Sequence, residues 1–186
     1  MRKLIYPMSI SVDGYIADRN GQFDWAAPNA DLHQHWNDHE LTIDTLLHGG
    51  RMWAMMADYW PVADQDPKAS KVERDFSGYW KRAKHVVFSR RLTEVGYGAT
   101  LIRDNPVEAV RALKAQEGKD MEVGGPGIAS VFIASGLIDE FWLYLHPVAV
   151  GSGKPYFQHL QGQLDLTLIG TQPFSDGVIQ LRYAPR

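Results

Sequence analysis

The sequence contains no cysteine among its 186 residues. This excludes disulfide bonds, thiolate catalysis and metal sites built from cysteine ligands. Charge of one sign is not in excess either, since 19 Lys and Arg stand against 22 Asp and Glu, a net charge of −3. That balance gives no electrostatic reason to bind nucleic acid. No segment approaches the roughly 20 apolar residues that a membrane span requires, and no signal peptide is visible. We therefore expect a cytoplasmic protein that binds neither nucleic acid nor membranes.

The composition is that of an ordinary globular protein. Hydrophobic residues make up 45% of the chain and charged residues 22%, which is enough apolar material for a sizeable core at this length. There is no internal repeat, low-complexity run or linker, so we predict one domain over residues 1–186. Aromatic residues are plentiful, with 6 Trp, 8 Tyr and 7 Phe. These residues suit a core, the lining of a pocket or an interface.

Strand-like and helix-like segments alternate along most of the chain. Residues 84–89 and 120–123 have the pattern of buried strands, and residues 106–113 that of a helix capped by Asn105. Residues 164–169 and 178–183 resemble an antiparallel pair. This pattern predicts an α/β protein with three layers (α/β/α), in which a mostly parallel central sheet ends in antiparallel C-terminal strands.

A glycine-rich turn follows the strand that ends at Val123. The segment is Met121-Glu122-Val123-Gly124-Gly125-Pro126-Gly127-Ile128-Ala129. Glycines at a strand-to-helix turn let the backbone approach a ligand closely, and the free N–H groups of a helix start favour anions. The turn therefore indicates a phosphate-bearing ligand such as a nucleotide cofactor. The alternative is a tight turn with no ligand, because the segment is neither GxGxxG nor a Walker loop.

Two further turns follow predicted strands, after His48 and after Phe88. In open α/β sheets, ligands bind outside the carboxyl ends of the strands. The three turns can therefore line a single crevice, which favours one nucleotide site.

Several motifs, taken together and in order, resemble a known family. They are Ser9-Ile10-Ser11-Val12-Asp13-Gly14, Leu46-Leu47-His48-Gly49-Gly50-Arg51, His85-Val86-Val87-Phe88-Ser89-Arg90, Val123-Gly124-Gly125-Pro126-Gly127, Gly136-Leu137-Ile138-Asp139-Glu140 and Pro147-Val148-Ala149-Val150-Gly151-Ser152-Gly153-Lys154-Pro155. The order and spacing resemble the dihydrofolate-reductase-like superfamily. Within it, the chain is similar to the C-terminal reductase domain of the riboflavin-biosynthesis protein RibD and its stand-alone relatives.

This resemblance implies a three-layer α/β/α fold, NADPH as hydride donor and a homodimer. It places the cofactor phosphates and pyrophosphate at two glycine turns and the adenosine 2′-phosphate at the turn after Phe88. The implied cofactor-binding residues are Gly50, Arg51, Met52, Ser89, Arg90, Arg91, Gly124, Gly125, Pro126, Gly127 and Ile128. Arginine suits a 2′-phosphate because it binds such groups in a bidentate way. The alternative for Arg90 and Arg91 is a solvated turn.

The chain departs from the family pattern at two positions. Trp53 stands where the family usually has a Thr, so a hydroxyl contact to phosphate is lost. Val123 precedes the glycine pair where the riboflavin-pathway reductases usually have Glu, and Glu122 should point to the opposite face of its strand. The second departure weakens the case for the riboflavin-pathway substrate itself.

Two carboxylates are candidates for the catalytic acid. Asp31 lies in Pro28-Asn29-Ala30-Asp31-Leu32, which is similar to the stretch where dihydrofolate reductases carry their substrate-binding carboxylate. Asp13 lies in a Ser-x-Asp-Gly motif. The alternatives are a helix-start Asp, favoured by the helix dipole, and a turn Asp that serves the backbone. Trp25 is the candidate for stacking on a flat substrate, or else it belongs to a lid or the core.

We do not expect a metal site. His35 and His39 share a helical face, but no HExxH pattern follows. Segment 151–154 lacks the Walker spacing and its Ser or Thr, so it does not predict a phosphate loop.

From the residues and the resemblance together we predict an NADPH-dependent reductase. Its substrate is expected to be a small flat heterocycle, such as a pterin, pyrimidine or riboflavin precursor, or a related activated double bond. Two alternatives stay open, a nucleotide-binding protein that has lost turnover and an oxidoreductase that holds a flavin in the same cleft.

Overall fold

A computed structural model describes all residues, 1–186. The elements in chain order are β1 (Leu4–Ser11), β2 (Tyr15–Asp18), α1 (Ala30–Glu40), β3 (Ile43–Gly49), α2 (Gly50–Tyr59), α3 (Lys71–Arg82), β4 (Lys84–Phe88), β5 (Thr100–Ile102), α4 (Pro106–Ala115), β6 (Asp120–Gly124), α5 (Pro126–Ala134), β7 (Glu140–His146), β8 (Gly153–Pro155), β9 (Leu166–Pro173) and β10 (Ile179–Pro185).

Eight of these strands form one twisted sheet in the order β5-β4-β3-β6-β1-β7-β10-β9. The strands from β5 to β7 are parallel to one another, whereas β10 runs antiparallel to both β7 and β9. Strands β2 and β8 make a separate antiparallel pair. The predicted parallel sheet with an antiparallel C-terminal edge is therefore confirmed.

Helices cover both faces of the sheet. On one face, Met121 and Val123 of β6 pack with Val110 of α4 and Phe132 of α5 in the largest core cluster. On the other face, β3 packs against α2 and α3, and β1 and β7 pack against Leu32 of α1. Successive strand residues point to opposite faces, so the alternation of apolar side chains builds both halves of the core. The three-layer arrangement matches the prediction.

Helix α4 begins differently from the sequence prediction. Asn105 has a left-handed backbone, with φ at 53°, and its side chain makes no capping hydrogen bond. Pro106 occupies the start of the helix instead, where a missing N–H costs nothing. The predicted capping by Asn105 is wrong, because the left-handed backbone turns the chain into the helix without a side-chain contact.

A capping box that the prediction missed begins α3. The Ser70 hydroxyl accepts from the backbone N–H of Glu73, whose carboxylate in turn accepts from the backbone N–H of Ser70. Reciprocal bonds of this kind fix the start of a helix. Ser70 and Glu73 both line the cavity described below.

Candidate functional site

Three neighbouring parallel strands end at the same edge of the sheet. Strands β4, β3 and β6 are adjacent and end at Phe88, Gly49 and Gly124. A turn follows each strand, and helices α2 and α5 begin directly after two of those turns. The edge is therefore the place where this type of sheet binds ligands.

A large cavity of about 1410 Å³ opens at this edge. One part, the turn lobe, is lined by the β3–α2 turn and the β6–α5 turn, at residues 49–52 and 125–128, together with Phe88. The other part, the helix lobe, lies between α1 and the sheet and is lined by Ser9, His33, Trp36, His39, Glu40, Trp60, Phe76, Glu122 and Tyr144. The two lobes place glycine backbone and aromatic walls in one continuous space.

Close packing at the β3–α2 turn leaves little room for a side chain on Gly50. A Cβ on Gly50 would lie 3.0 Å from the Ser89 Oγ and 3.2 Å from its Cβ. The Ser89 Oγ accepts hydrogen bonds from the backbone N–H groups of Arg91 and Leu92, each at 3.2 Å. The turns after β3 and β4, predicted to line one crevice, are thus in direct contact.

The β6–α5 turn depends on Gly125, whose φ is +101°. Only glycine adopts such a backbone without strain. Gly125 precedes the first residue of α5, Pro126. A Cβ on Gly124 would lie 3.3 Å from Met52 Cγ, so the β6–α5 turn and the start of α2 are also in contact. The first N–H groups of α2 and α5 have no helical partner, and together they favour an anion at the turn lobe.

Three arginines follow the ends of β3 and β4. Arg51 is exposed and lines the cavity. Arg90 and Arg91 are exposed just beyond Ser89 and lie outside the lining. None of the three forms an ion pair with a carboxylate. Their charges are therefore available to a phosphate at the cavity mouth.

Trp53 belongs to the core. Its ring stacks on Trp80 with centroids 5.6 Å apart, and its Nε1 donates to the carbonyl oxygen of Val95 at 3.0 Å. The side chain at the family's Thr position thus fixes α2 onto the sheet and offers nothing to a phosphate.

The structure places Asp13 outside the cavity, in the turn after β1. Its carboxylate accepts from the Ser11 hydroxyl at 2.5 Å and from the backbone N–H groups of Gly151 at 2.7 Å and Val150 at 3.2 Å. The Ser11 hydroxyl, opposed only in part by desolvation, and these backbone bonds lower the pKa of Asp13. The carboxylate therefore ties two loops together as an anion.

Replacing Asp13 by Asn should separate a structural role from a catalytic one. We expect Asp13→Asn to lower the Tm and to leave turnover of NADPH unchanged, because an amide serves the two backbone N–H groups poorly. Thermal unfolding and NADPH oxidation measured on the same preparation test this. Lost turnover with an unchanged Tm would support the catalytic role instead.

Asp31 also lies outside the cavity lining, in the first turn of α1. Its carboxylate accepts from the Ser175 backbone N–H at 3.1 Å and from the Ser175 hydroxyl at 2.9 Å. The backbone bond and then the hydroxyl lower the pKa of Asp31. The arrangement holds the β9–β10 turn against α1, and a catalytic role for Asp31 stays a prediction without support from this placement.

Trp25 lies one layer behind the cavity wall. Its ring meets that of His146 edge-on, with centroids 5.7 Å apart. The Nε2 of His146 is 3.0 Å from the hydroxyl of Ser9, which lines the helix lobe. Direct stacking of Trp25 on a substrate stays a prediction, and the observed contact is with His146.

Aromatic rings form the walls of the helix lobe. The ring of His33 lies 6.1 Å from those of Trp36, Trp60 and Phe76, and the rings of Trp60 and Phe76 are 4.3 Å apart. Rings prefer edge-on and offset contacts of this kind. Such walls fit a flat, mostly apolar ligand.

The sequence analysis missed an acid–base cluster in the same lobe. His39 and Glu40 come from the last turn of α1, and Glu122 comes from β6. His39 Nε2 lies 3.3 Å from Glu122 Oε2. Burial raises the pKa of Glu122 to about 8 and raises that of Glu40, which the charge of Glu122 raises further. The available signal was a glutamate in a buried strand, on the face opposite Val123.

A second pair of histidines lies under the turn lobe, just before Gly49. His48 Nε2 is 3.2 Å from His85 Nδ1, and His85 Nε2 is 2.8 Å from the Trp80 carbonyl oxygen. Since the carbonyl can only accept, His85 carries its proton on Nε2, and His48 donates to its Nδ1. Both rings are neutral in this arrangement. Burial and then His85 lower the pKa of His48 to about 3.

This pair predicts a loss of stability in acid. The unfolded chain binds a proton at His48 near pH 6.5, whereas the folded chain resists it down to about pH 3. The free energy of unfolding should therefore fall below pH 6.5, by up to about 1.4 kcal/mol per pH unit from this group. The free energy of unfolding, measured with urea at pH values between 7 and 5, should change less steeply with pH for His48→Asn than for wild type. The control is His159→Asn at an exposed histidine, and an equal slope in all three proteins would contradict the argument.

No group of three or more His, Asp or Glu side chains is arranged to hold a metal ion. In the same structure, no helix has the length and apolar character to cross a membrane.

Comparison with known proteins gives the family. The model of the RibD C-terminal domain matches residues 2–180. The uncharacterized protein YyaP of Bacillus subtilis (strain 168) is 36% identical over 186 residues, covering 98% of this chain and 94% of YyaP.

Solved structures give the fold. A protein from Shewanella sp. PV-4 described as a riboflavin biosynthesis protein superimposes with a TM-score of 0.77 at 24% identity, covering 100% of this chain and 99% of that one. Dihydrofolate reductase from Enterococcus faecalis, in complex with NADP(H), superimposes with a TM-score of 0.65 at 13% identity, covering 99% and 96%. The predicted dihydrofolate-reductase-like fold is confirmed, and the chain belongs to the RibD C-terminal domain family.

Proposed function

We propose that this protein is an NADPH-dependent reductase of a small flat heterocycle or a related activated C=N, C=C or C=O compound. The observation that carries the proposal is the continuous cavity, whose turn lobe is glycine backbone and whose helix lobe is aromatic. Its volume of about 1410 Å³ exceeds the roughly 300–1,000 Å³ of a pocket for one drug-sized ligand. A cofactor and a small substrate therefore fit together.

The residues of the turn lobe fit a nucleotide cofactor. Gly50 and Gly125 keep the two turns close-packed, since a Cβ would meet Ser89 at the first and Met52 at the second. Two helix starts direct N–H groups to the same place. NADPH supplies a hydride when bound, and the protein orients it and excludes water. The solved Enterococcus faecalis dihydrofolate reductase holds NADP(H) in the same fold. We assign the cofactor phosphates and pyrophosphate to Gly50, Arg51, Met52, Gly124, Gly125, Pro126, Gly127 and Ile128.

The preference for NADPH over NADH rests on charge. Ser89, Arg90 and Arg91 follow β4 at the cavity mouth, and both arginines lack a carboxylate partner. A phosphate monoester carries about two negative charges at neutral pH. We therefore assign these three residues to the adenosine 2′-phosphate.

A homodimer is part of the proposal. Strand β9 is an edge of the sheet, and its Leu168 and Ile169 are 52% and 43% exposed. At the other end of the β9–β10 pair, Ile179 is 40% exposed. An exposed apolar edge strand favours pairing with another copy. Light scattering during size-exclusion chromatography should give twice the monomer mass, and a monomer would reject the dimer. A single domain over residues 1–186 and a cytoplasmic location stay predictions.

The experiment that tests the function is NADPH oxidation with a panel of pterin, pyrimidine and quinone acceptors. Oxidation that depends on enzyme and acceptor would support the proposal. Tight NADPH binding without oxidation by any acceptor would favour a binding protein that has lost turnover. A yellow protein after purification would favour the flavin alternative.

A further inference from the structure

Three titratable side chains face one another inside the helix lobe, and the family resemblance assigned a role to none of them. They are His39, Glu40 and Glu122. His39 and Glu40 are buried, and all three side chains line the cavity. Glu122 precedes Gly124 by two residues on β6, which is about 7 Å along a strand. A flat ring bound beside the glycine turn therefore lies within reach of the Glu122 carboxyl group.

Hydrogen bonding fixes the proton position on His39. The Thr42 hydroxyl donates its only proton to the His39 carbonyl oxygen at 2.7 Å. The hydroxyl oxygen of Thr42 also lies 3.3 Å from His39 Nδ1. Because its proton is already donated, this oxygen can only accept from Nδ1, so the ring proton of a neutral His39 is on Nδ1. Nε2 is then an acceptor, 3.3 Å from Glu122 Oε2. His39 Nε2 is buried and has no hydrogen-bond partner, so a proton on the neighbouring Glu122 carboxyl group would satisfy it.

Burial places this shared proton on the carboxyl side. Burial lowers the pKa of His39, which favours the neutral ring, and raises the pKa of Glu122 to about 8. At neutral pH, Glu122 is therefore mostly protonated. A neutral carboxyl beside a neutral imidazole avoids the cost of two charges in a dry site.

The groups packed around the cluster supply little compensating positive charge. From α3, Tyr79 faces Glu40 and Glu122, and from β7, Tyr144 faces the same two carboxyls. Among more distant charges, Arg182 opposes protonation of His39, and Glu140 and Asp120 favour it. The positive group near this cluster, Arg182, contacts the Glu140 carboxylate at 3.7 Å.

We propose that Glu122 is the proton donor to the substrate in the helix lobe, with His39 and Glu40 as positioning residues. This inference rests on the proposed reductase function, because that function supplies the hydride. A bound NADPH would supply a hydride from the C–H bond of its reduced ring to the carbon of a C=N group, leaving NADP⁺, and the π electrons would move to nitrogen. The O–H bond of Glu122 breaks, an N–H bond forms, and the resulting carboxylate takes a proton from water before the next turnover.

The test uses no NADPH, so its failure differs from failure of the proposed function. The probe is 2,4-diaminopyrimidine, a flat base whose ring nitrogen accepts a proton. Infrared spectroscopy of wild type near pH 6.5 should show the carbonyl band of a protonated carboxyl group. Saturation with the probe should remove part of that band, because the Glu122 proton moves to the ring. A wild-type protein without such a band, or with a band that the bound probe leaves unchanged, would overturn the proposal.

Variants assign the band to its residue. In Glu122→Gln the probe-sensitive part of the band should be absent, and the affinity for the probe should fall by about tenfold or more. In Glu40→Gln it should persist but disappear at lower pH than in wild type, since one of the charges that opposes ionisation of Glu122 is gone. The matched control is Glu140→Gln, at a buried carboxylate paired with Lys3, which should leave the band unchanged. If Glu122→Gln does not fold, the wild-type response to the probe decides alone.

Discussion

Gly125→Ala is expected to weaken NADPH binding by about tenfold or more, which is at least about 1.4 kcal/mol. Gly125 has φ at +101°, and its Cβ would meet Met52 Cβ at 3.4 Å. A side chain at such a backbone costs about 1–3 kcal/mol. The turn would shift to relieve that strain, and the N–H groups at the start of α5 would no longer point at the pyrophosphate. Titration with NADPH, followed by tryptophan fluorescence, measures the effect.

The control for this prediction is Gly136→Ala. Gly136 also has a positive φ, at +62°, with nothing within 4 Å of a Cβ, and it lies at the other end of α5. This variant should lose stability through the same backbone strain and keep its NADPH affinity. Equal losses of affinity in the two variants would mean that the β6–α5 turn has no special part in binding.

Trp80→Ala is expected to lower the free energy of unfolding by about 3–5 kcal/mol. Trp80 is 1% exposed, stacks on Trp53, and meets Tyr97 edge-on with centroids 5.6 Å apart. Its carbonyl oxygen also positions His85. Since the whole free energy of unfolding of a domain is about 5–15 kcal/mol, the variant should unfold at a much lower urea concentration than wild type or fail to accumulate.

Trp25→Ala is the comparison for the core prediction. Trp25 is only half-buried and packs on His146, so its loss should cost much less than that of Trp80. Urea unfolding of both variants and wild type gives the two differences directly. A Trp80→Ala protein with wild-type stability would contradict the assignment of α2 and α3 to one shared core with β3 and β4.

The sheet and its helices were predictable because their signals are local. Alternating strands and helices, the glycine turn after β6 and the apolar faces of β1, β3 and β6 each depend on short segments. The turn predicted to bind phosphate does line the cavity from Gly125 to Ile128. Element ends were less predictable, as at Asn105, where a left-handed backbone replaces the expected cap.

The acid–base part of the site was not predictable from the sequence. Asp13 and Asp31 stand in motifs that resemble catalytic ones, yet each carboxylate is used by hydrogen bonds from a distant loop, which only the folded chain brings near. The pairing of His39 with Glu122 joins α1 to β6, more than 80 residues apart in sequence. Such contacts depend on the packing of α1 against the sheet, and no spacing rule reports them.

The most direct test of the account is a titration of the protein with NADPH and with NADH, each followed by quenching of tryptophan fluorescence. The account predicts tight binding of NADPH and much weaker binding of NADH, with the difference removed in a variant that carries both Arg90→Ala and Arg91→Ala. If neither NADPH nor NADH bound, the cofactor assignment would be contradicted, and with it the proposed reductase function.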